Sequence, residues 1–387
     1  MKKTILGLAL ALTTSFSIAA DKTTDDTQWQ QTLAEAEGQT VYFNAWGGSQ
    51  EINNYLRWAS RQLKTQYGIN LKHVKVADIA ETTQRLLAEK TAGKNQAGSV
   101  DLVWLNGENF RSMKHNNLLH GPFTQRLPNW QFVDTSLPID EDFTEPTNGM
   151  EAPWGIGQLV FIHDKHTLNN PPQNFAELLS LAKAFPGKVS YPQPPEFHGS
   201  SFLKAALLEL SNNNSALYEP FDKSKFVGVT APLWSYLDQL HPVAWQQGLR
   251  FPSGTSETIQ LLDDQQLLLA ITFNPNAANA AIENGNLVET AQTYAFQQGA
   301  LSNIHFLAIP WNATAKAGSL VTINFLLSPE AQARKADAAI WGDPSVLKPN
   351  VLKKSGAQGF TLFKSIPEPH PSWITAIELE WQKRYGS

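Results

Sequence analysis

The sequence predicts an α/β fold with two lobes, in which each lobe is a mixed β-sheet flanked by helices and two crossover strands form a hinge. Two observations predict this architecture. The chain has 387 residues, whereas one domain takes about 100–200 residues. Strand-like and helix-like segments also alternate along most of the chain, which is typical of βαβ units and a largely parallel sheet.

The N-terminus has the layout of a cleaved signal peptide. A pair of lysines precedes a short, mostly apolar stretch at residues 5–18, and small residues follow it. The apolar stretch is shorter than the ~20 residues that cross a bilayer as a helix. We therefore expect residues 1–20 to be removed by cleavage near Ala19 or Ala20, and the mature protein to be unanchored and periplasmic.

The composition excludes several classes of protein. With 42% hydrophobic and 17% charged residues, the chain is globular rather than disordered. It contains no cysteine, which excludes disulfides, thiolate metal sites and a lipid attached to cysteine. A net charge of −5 argues against a nucleic-acid partner. Twelve tryptophans and 20 phenylalanines either fill an aromatic core or line a ligand pocket.

Three strand–turn–helix units come first along the chain. Residues 41–46, 69–76 and 100–105 have the composition of strands, and a helix-like pattern follows each one. The carboxyl ends of parallel strands meet at one edge of a sheet, and ligands of open α/β sheets bind there. The three turns after these strands are therefore the first candidates for a ligand site.

The chain then crosses between the predicted lobes. Residues 154–162 form a long apolar strand, and the glycines near its start would ease bending at a hinge. Residues 267–276 look like a second crossover, and the chain is mainly helical from residue 320 onward. This reading places residues 21–155 and about 276–320 in lobe 1. Residues 156–275 and about 321–387 fall in lobe 2.

In this order, the segments resemble a known family. The strand and glycine turn at residues 41–48, the two crossovers, the strand at 304–311 and the Leu-Leu-Ser-Pro-Glu-Ala-Gln stretch at 326–332 are similar to the type II periplasmic solute-binding proteins of ABC importers. Within them the chain resembles the YnjB-type group, related to thiamine, polyamine and ferric-iron binders. The resemblance implies a monomeric two-lobed clamp that captures a small molecule and delivers it to an inner-membrane permease.

Candidate ligand-binding residues lie at strand ends, crossovers and one helix start. Gly47 and Gly48 let backbone N–H groups approach a ligand, while Trp46 offers an aromatic face. Each candidate also has a structural explanation, such as a tight turn, a buried core ring or a helix cap. The candidates are Trp46, Gly47, Gly48, Asn106, Glu108, Trp154, His198, Ser200, Ser201, Asn274, Asn276 and Trp311.

Two hypotheses about the charge of the ligand remain open. In the first, Trp46 and Trp154 flank the cleft and Glu108 neutralises a cation, as in thiamine-like or polyamine-like ligands. In the second, Glu108 only stabilises the start of its helix, and an anion binds the N–H groups and hydroxyls at Ser200 and Ser201. The absence of an adjacent tyrosine pair counts against ferric iron.

An enzyme is the alternative class, as a periplasmic hydrolase or transferase on an α/β scaffold. The spacing Ser-x-x-Lys occurs three times, at residues 180–183, 201–204 and 345–348, which indicates chance. No companion motif of a serine, zinc or nucleotide enzyme accompanies it. We expect no catalytic residue, no metal site and no cofactor. A purely structural or chaperone-like factor is a third class, which would expose a large apolar surface.

Overall fold

The computed structural model describes residues 17–355 and 362–386. Residues 1–16 of the predicted signal peptide lie outside the described residues, and the predicted cleavage site falls within the first helix, Ser17–Ala36. In the described part of the chain, no helix is both long and apolar enough to cross a membrane.

Helices and strands alternate in the first half of the chain, and helices dominate the second half. The α-helices are α1 (Ser17–Ala36), α2 (Gln50–Tyr67), α3 (Ile79–Thr91), α4 (Gly107–His115), α5 (Phe175–Ala184), α6 (Phe197–Leu210), α7 (Lys223–Leu240), α8 (Thr255–Asp263), α9 (Ala277–Glu283), α10 (Lys316–Leu326), α11 (Pro329–Ala336), α12 (Pro349–Lys354) and α13 (Ile374–Tyr385). The strands are β1 (Thr40–Trp46), β2 (Asn70–Val76), β3 (Leu102–Leu105), β4 (Glu141–Asp142), β5 (Glu145–Pro146), β6 (Glu151–Gln158), β7 (Val160–Asp164), β8 (Ala270–Thr272), β9 (Ala291–Tyr294), β10 (Ala300–Ala308) and β11 (Ser365–Pro367).

The larger sheet has six strands. Strand β1 runs parallel to β2 and β3, and β10 runs antiparallel to both β3 and β6. Strands β1, β2 and β3 therefore end at the edge where β10 begins. The turns after Trp46, Val76 and Leu105 meet at this edge, as the βαβ pattern predicts.

The smaller sheet has three antiparallel strands in the order β8-β7-β9. Strand β7 follows β6 after a single residue, Leu159, so one nearly continuous extended segment serves both sheets. Strands β4 and β5 form a separate short hairpin. The two sheets with their flanking helices agree with the predicted α/β fold class, and the larger sheet is the mixed one.

Two hydrophobic cores define two lobes. Core 1 contains side chains from residues 36–156 and 304–352, and we call the elements around it lobe 1. Core 2 contains side chains from residues 159–301 and 373–381, and the elements around it are lobe 2. The chain changes core between Ile156 and Leu159, between Leu301 and Ile304, and between Leu352 and Trp373.

The second crossover predicted at residues 267–276 is wrong. Strand β8 pairs with β7 inside the smaller sheet, and helix α9 packs with Ile162 and Ala270 on the same lobe. The second crossing is instead β10, which pairs with β6 from Ser302 to Ala308. The sequence pattern did not identify β10 as the second crossing, because a buried strand within one lobe and a strand that crosses between lobes have the same apolar composition.

The C-terminal helices also divide differently from the prediction. Helices α10, α11 and α12 contribute to core 1, whereas the prediction places residues 321–387 in lobe 2. Core 2 instead receives Trp373, Ile377 and Trp381, at and just before the last helix, and Ile366 of β11 packs against it. Residues 277–301, assigned to lobe 1 from the sequence, pack with lobe 2.

Candidate functional site

The turn after β1 closes the edge of lobe 1 that faces lobe 2. Gly47 donates its N–H to the Val76 carbonyl over 3.1 Å, and its own carbonyl accepts from Asn53 over 3.0 Å. The partly buried ring of Trp46 packs directly over Gly48. This arrangement holds the turn tightly against the sheet and keeps the Trp46 ring at the cleft edge.

The start of α4 lies at the same edge. The Gly107 N–H donates to the buried carboxylate of Asp142 over 2.7 Å. Gly107 has φ +58°, and a Cβ there would come within 2.6 Å of the Phe143 ring, so the turn requires glycine. Asn106 donates from its amide to Asn303 on β10 over 3.4 Å. The beginning of α4 is thereby fixed against both the hairpin and the second crossing.

Glu108 lies in the first turn of α4, at this edge of lobe 1. Its side chain is exposed, so it does not belong to the core of lobe 1. The surrounding protein nevertheless removes enough hydration to raise the pKa of the carboxyl; the Lys204 ammonium opposes this effect, and the carboxylates of Glu368 and Asp78 add to it. The surroundings of Glu108 therefore favour its protonated form relative to that of a free carboxyl.

The start of α6 forms the opposing wall from lobe 2. The Glu196 carboxylate accepts from the backbone N–H of His198 and of Gly199, at 2.8 and 3.0 Å, and also contacts Nδ1 of His198 at 2.7 Å. The N–H groups that an anionic ligand would need are therefore already bound to an acid of the chain itself. Ser201 is completely buried.

A second acid, which the sequence analysis did not find, lies beside this wall. Ser200 donates its hydroxyl to Glu378 of α13 over 2.5 Å. Burial raises the pKa of Glu378 from 4.5 to about 7, and the charges of Glu108, Lys204 and Asp78 also act on it. Acids from both lobes thus share one electrostatic environment at the cleft.

Sequence signals for the missed residues exist in both helices. In α13, Ile374, Ile377 and Trp381 form the buried face, and Glu378 follows Ile374 by four residues, which places it next to that face. In α6, Lys204 is a charged residue within the buried stretch that runs from His198 to Leu208. A charged residue on a buried helix face needs a partner, so both positions could have been singled out.

Trp154 is not a cleft residue, contrary to the prediction. It is completely buried in core 1, with ring contacts to Phe43, Tyr55 and Trp104. Strand β6 is buried along its whole length. Strand alternation therefore carries no information about which of its side chains face the cleft.

Trp311 is also wrongly predicted as a cleft residue. It follows the C-terminal end of β10, which runs antiparallel to β3 and therefore ends at the opposite edge of the sheet. Its ring lies 4.8 Å from the Lys90 ammonium, and its Nε1 donates to Asn95 over 3.4 Å. These partners belong to the end of α3 and the loop that follows it, far from the turns that form the cleft.

Asn274 and Asn276 join the lobes instead of pointing to a free site. The Asn274 amide donates to the Trp341 carbonyl, and the Asn276 amide donates to the Gly342 carbonyl, both over 2.9 Å. These carbonyls belong to the loop after α11, on lobe 1. Amides expected to bind a ligand are thus engaged with backbone groups of the other lobe.

The lobes also touch across the cleft near the turn after β1. Ser256 of α8 donates to the Gly48 carbonyl over 3.2 Å, and the Asn284 amide lies 3.5 Å from the Glu51 carboxylate. A groove of about 550 Å³ beside Tyr42 and Asp101 lies at the opposite edge of lobe 1. The two lobes are therefore in contact beside this turn, and the groove at Tyr42 and Asp101 lies elsewhere on lobe 1.

The comparison with protein families identifies the class. Residues 58–352 match the family described as bacterial extracellular solute-binding protein, and the chain belongs to this family. It is the solute-binding component of an ABC transport system, a class whose members bind a small molecule and interact with a membrane permease. Within the described residues, no group of three or more metal-ligating side chains comes together.

Individual relatives agree with this class. The chain is 47% identical to Protein YnjB of Escherichia coli (strain K12) over 98% of this chain and 99% of that protein. Among solved structures, the fold is similar to a periplasmic thiamin binding protein, with a TM-score of 0.63 and 17% identity over 90% of this chain and 94% of that one. It is also similar to AfuA of Actinobacillus pleuropneumoniae bound to fructose-6-phosphate, with a TM-score of 0.64 and 13% identity over 90% and 99% of the two chains.

Proposed function

We propose that this solute-binding protein works in the periplasm without catalysing a reaction, and that its ligand is a small organic cation. The observation that carries the proposal is the pair of acids on opposite lobes. Glu108 lies on α4 of lobe 1 and Glu378 on α13 of lobe 2, and the charge of Glu108 raises the pKa of Glu378. A cation between them would replace the hydration that both carboxylates lose.

The balance of charge at the cleft supports this assignment. Among the described residues that act on Glu108 and Glu378, Lys204 supplies the positive charge, while Asp78 and Glu368 add negative charge. The Lys204 ammonium is already paired with Glu368 over 2.7 Å. A ligand with a positive charge therefore has unmatched acids to pair with.

The hydrogen-bond donors that the anion hypothesis requires already have acceptors within the chain. Glu196 occupies the N–H groups at the start of α6, and Ser200 donates its hydroxyl to Glu378. An anion at this position would displace or oppose two carboxylates. The sugar phosphate held by AfuA is therefore the less favoured ligand chemistry for this chain.

A binding panel tests the proposal. We expect thiamine, putrescine or spermidine to raise the melting temperature and to titrate by calorimetry, and fructose 6-phosphate to do neither. Glu108→Gln should weaken binding of the cation at least tenfold, which corresponds to about 1.4 kcal/mol. Glu35→Gln is the matched control, because Glu35 is exposed on α1 away from the cleft.

The opposite pattern would refute the cation assignment. If fructose 6-phosphate binds, Ser200→Ala abolishes that binding and Glu108→Gln leaves it unchanged, the ligand is anionic. An independent test is mass spectrometry of the small molecules that remain bound through native purification, because it identifies the ligand and hence its charge.

A further inference from the structure

Lys204 has surroundings that are unusual for a lysine. It lies on α6, and its side chain is 6% exposed. Its ammonium lies 2.7 Å from the Glu368 carboxylate, 4.7 Å from the ring centre of Phe143 and 6.0 Å from that of Phe197. A carboxylate and two aromatic faces thus surround one ammonium group, and we call these three side chains the ammonium cage.

The cage is built from three separate parts of the chain. Phe143 belongs to the β4–β5 hairpin beside the start of α4, Phe197 begins α6, and Glu368 follows β11. Asn303 of β10 donates to Glu368 over 3.0 Å and holds its carboxylate in place. The walls are therefore fixed by neighbouring elements and do not depend on the lysine alone for their positions.

The chemistry of the cage is that of a ligand site. Aromatic faces attract ammonium groups through their quadrupole, and a buried carboxylate provides the opposite charge. Proteins recognise cationic ligands with the same combination. Here the group that occupies it is tethered to the protein by a flexible four-carbon side chain.

The position of the cage ties it to the proposed ligand site. The Lys204 ammonium acts on the pKa of both Glu108 and Glu378, so the cage lies beside the acids that would hold the ligand. Its ring Phe143 also packs against Gly107, one residue before Glu108. The cage and the acid pair form two adjacent positions for positive charge.

We propose that Lys204 is a specificity-determining residue: its ammonium fills one cation subsite of the cleft and excludes the ligand from it. The remaining subsite lies between Glu108 and Glu378, so the cleft selects ligands with one cationic group at this end. This inference rests on the proposed function for the identity of the second subsite. The occupancy of the cage itself is tested without any ligand of the acid pair.

Chemical rescue tests the cage. Lys204→Ala removes three carbons and the ammonium, which together correspond to n-propylammonium. We expect n-propylammonium chloride at about 100 mM to raise the melting temperature of Lys204→Ala by about 2 °C or more relative to equal sodium chloride. Neutral 1-propanol should not do so, because it lacks the charge that pairs with Glu368.

Two proteins serve as controls. Wild type keeps its own ammonium in the cage, and Lys204→Met fills the same volume without charge, so neither should respond to n-propylammonium. If Lys204→Ala folds and responds equally to both salts, the cage is not an ammonium subsite. If Lys204→Ala is unfolded in sodium chloride, it should refold when n-propylammonium chloride is present. A Lys204→Ala protein that refolds in neither salt would overturn the proposal.

Selectivity tests the second half of the inference. In Lys204→Ala the affinity for spermidine relative to thiamine should rise at least tenfold, because a terminal ammonium of spermidine enters the emptied cage. An unchanged ratio would overturn the role in specificity. Rescue by n-propylammonium together with normal binding by Glu108→Gln would instead refute the cationic ligand while leaving the cage intact, so the two failures are distinguishable.

Discussion

Glu378 carries a carboxyl group that changes its ionisation near neutral pH. Burial raises its pKa from 4.5 to about 7, against the hydrogen bond from Ser200. Below about pH 4.5 the group is protonated in the folded and the unfolded chain alike. Between that pH and about 7 only the unfolded chain ionises, so this group takes stability away from the folded state as the pH rises.

Replacing the titratable carboxyl of Glu378 by a neutral amide should therefore stabilise the ligand-free protein at high pH. We expect Glu378→Gln to match wild type at pH 4 and to be more stable at pH 8. The difference should be on the order of 1 kcal/mol, because the side chain keeps some contact with water. Urea denaturation at both pH values measures it, with Glu35→Gln as a variant that should show no such trend. A Glu378→Gln protein less stable than wild type at pH 8 would contradict the assignment.

The sequence predicts the position of some site residues and not of others. Trp46, Asn106 and Glu108 lie at the expected sheet edge, because the ends of parallel strands necessarily meet there. The orientation of Trp154 could not be predicted, since β6 is buried on both faces. Glu378 and Lys204 could have been singled out, because each is a charged residue on or next to the buried face of its helix, but the strand-end argument does not apply to helices.

At the scale of elements, a buried charge network fixes the loop after α11 to the crossing strands. The Lys335 ammonium on α11 is completely buried and contacts the Asp343 carboxylate. Nε2 of His305 on β10 lies 3.1 Å from both Asp343 oxygens. Burial alone would raise the pKa of Asp343, but the charges of Lys335 and His305 outweigh it and lower that pKa. The carboxylate is therefore ionised and holds the positive charge of Lys335.

Gly155 belongs to this network rather than to a flexible bend. A Cβ at Gly155 would collide with the Asp343 carboxylate and the His305 ring. The glycine near the start of the crossover, interpreted from the sequence as an aid to hinge bending, thus allows a close approach of charged groups to β6. The sequence does not distinguish these two uses of glycine, because the group that approaches lies nearly 200 residues away.

Breaking the network on one side should be costly. Asp343→Asn leaves a completely buried ammonium without its counter-charge, and we expect the free energy of unfolding to fall by about 3–5 kcal/mol. Urea denaturation monitored by tryptophan fluorescence measures the loss. The double variant Asp343→Asn, Lys335→Met removes both charges and should recover part of it. A loss below about 1 kcal/mol in the single variant would show that the pair does not carry a buried charge.

The local elements were easier to predict than their connections. Strands β1, β2 and β3 lie within a few residues of the segments expected at 41–46, 69–76 and 100–105. The pairing of β10 with β6 joins residues about 150 apart, and no local pattern specifies it. The division of the chain between lobes follows from such long-range pairings, which explains why the second crossover was misplaced while the α/β class was correct.

At the scale of the whole molecule, the lobes meet through few contacts on the side of the cleft away from the crossings. The Ser256 hydroxyl donates to the Gly48 carbonyl, and the Asn284 amide contacts the Glu51 carboxylate. The Lys204 ammonium lies over the Phe143 ring. The charge of Glu108 on lobe 1 acts on the carboxyl of Glu378 on lobe 2 and raises its pKa. Without a cation between them, their mutual repulsion opposes closure, whereas a bound cation removes the repulsion and stabilises the closed form.

Ligand binding should therefore close the two lobes about β10 and the junction of β6 with β7. The chain contains no cysteine, so spin labels at Asn54→Cys on α2 and Glu283→Cys on α9 would be unique, and both positions are exposed near the Glu51–Asn284 contact. We expect the distance between the labels and the radius of gyration to decrease at saturating thiamine or spermidine, whichever binds in the panel. A label pair at Asn54→Cys and Glu35→Cys lies within lobe 1 and should keep its distance. If both distances and the scattering profile stay unchanged at saturation, the acids do not control closure and the ligand binds to lobes that are already closed.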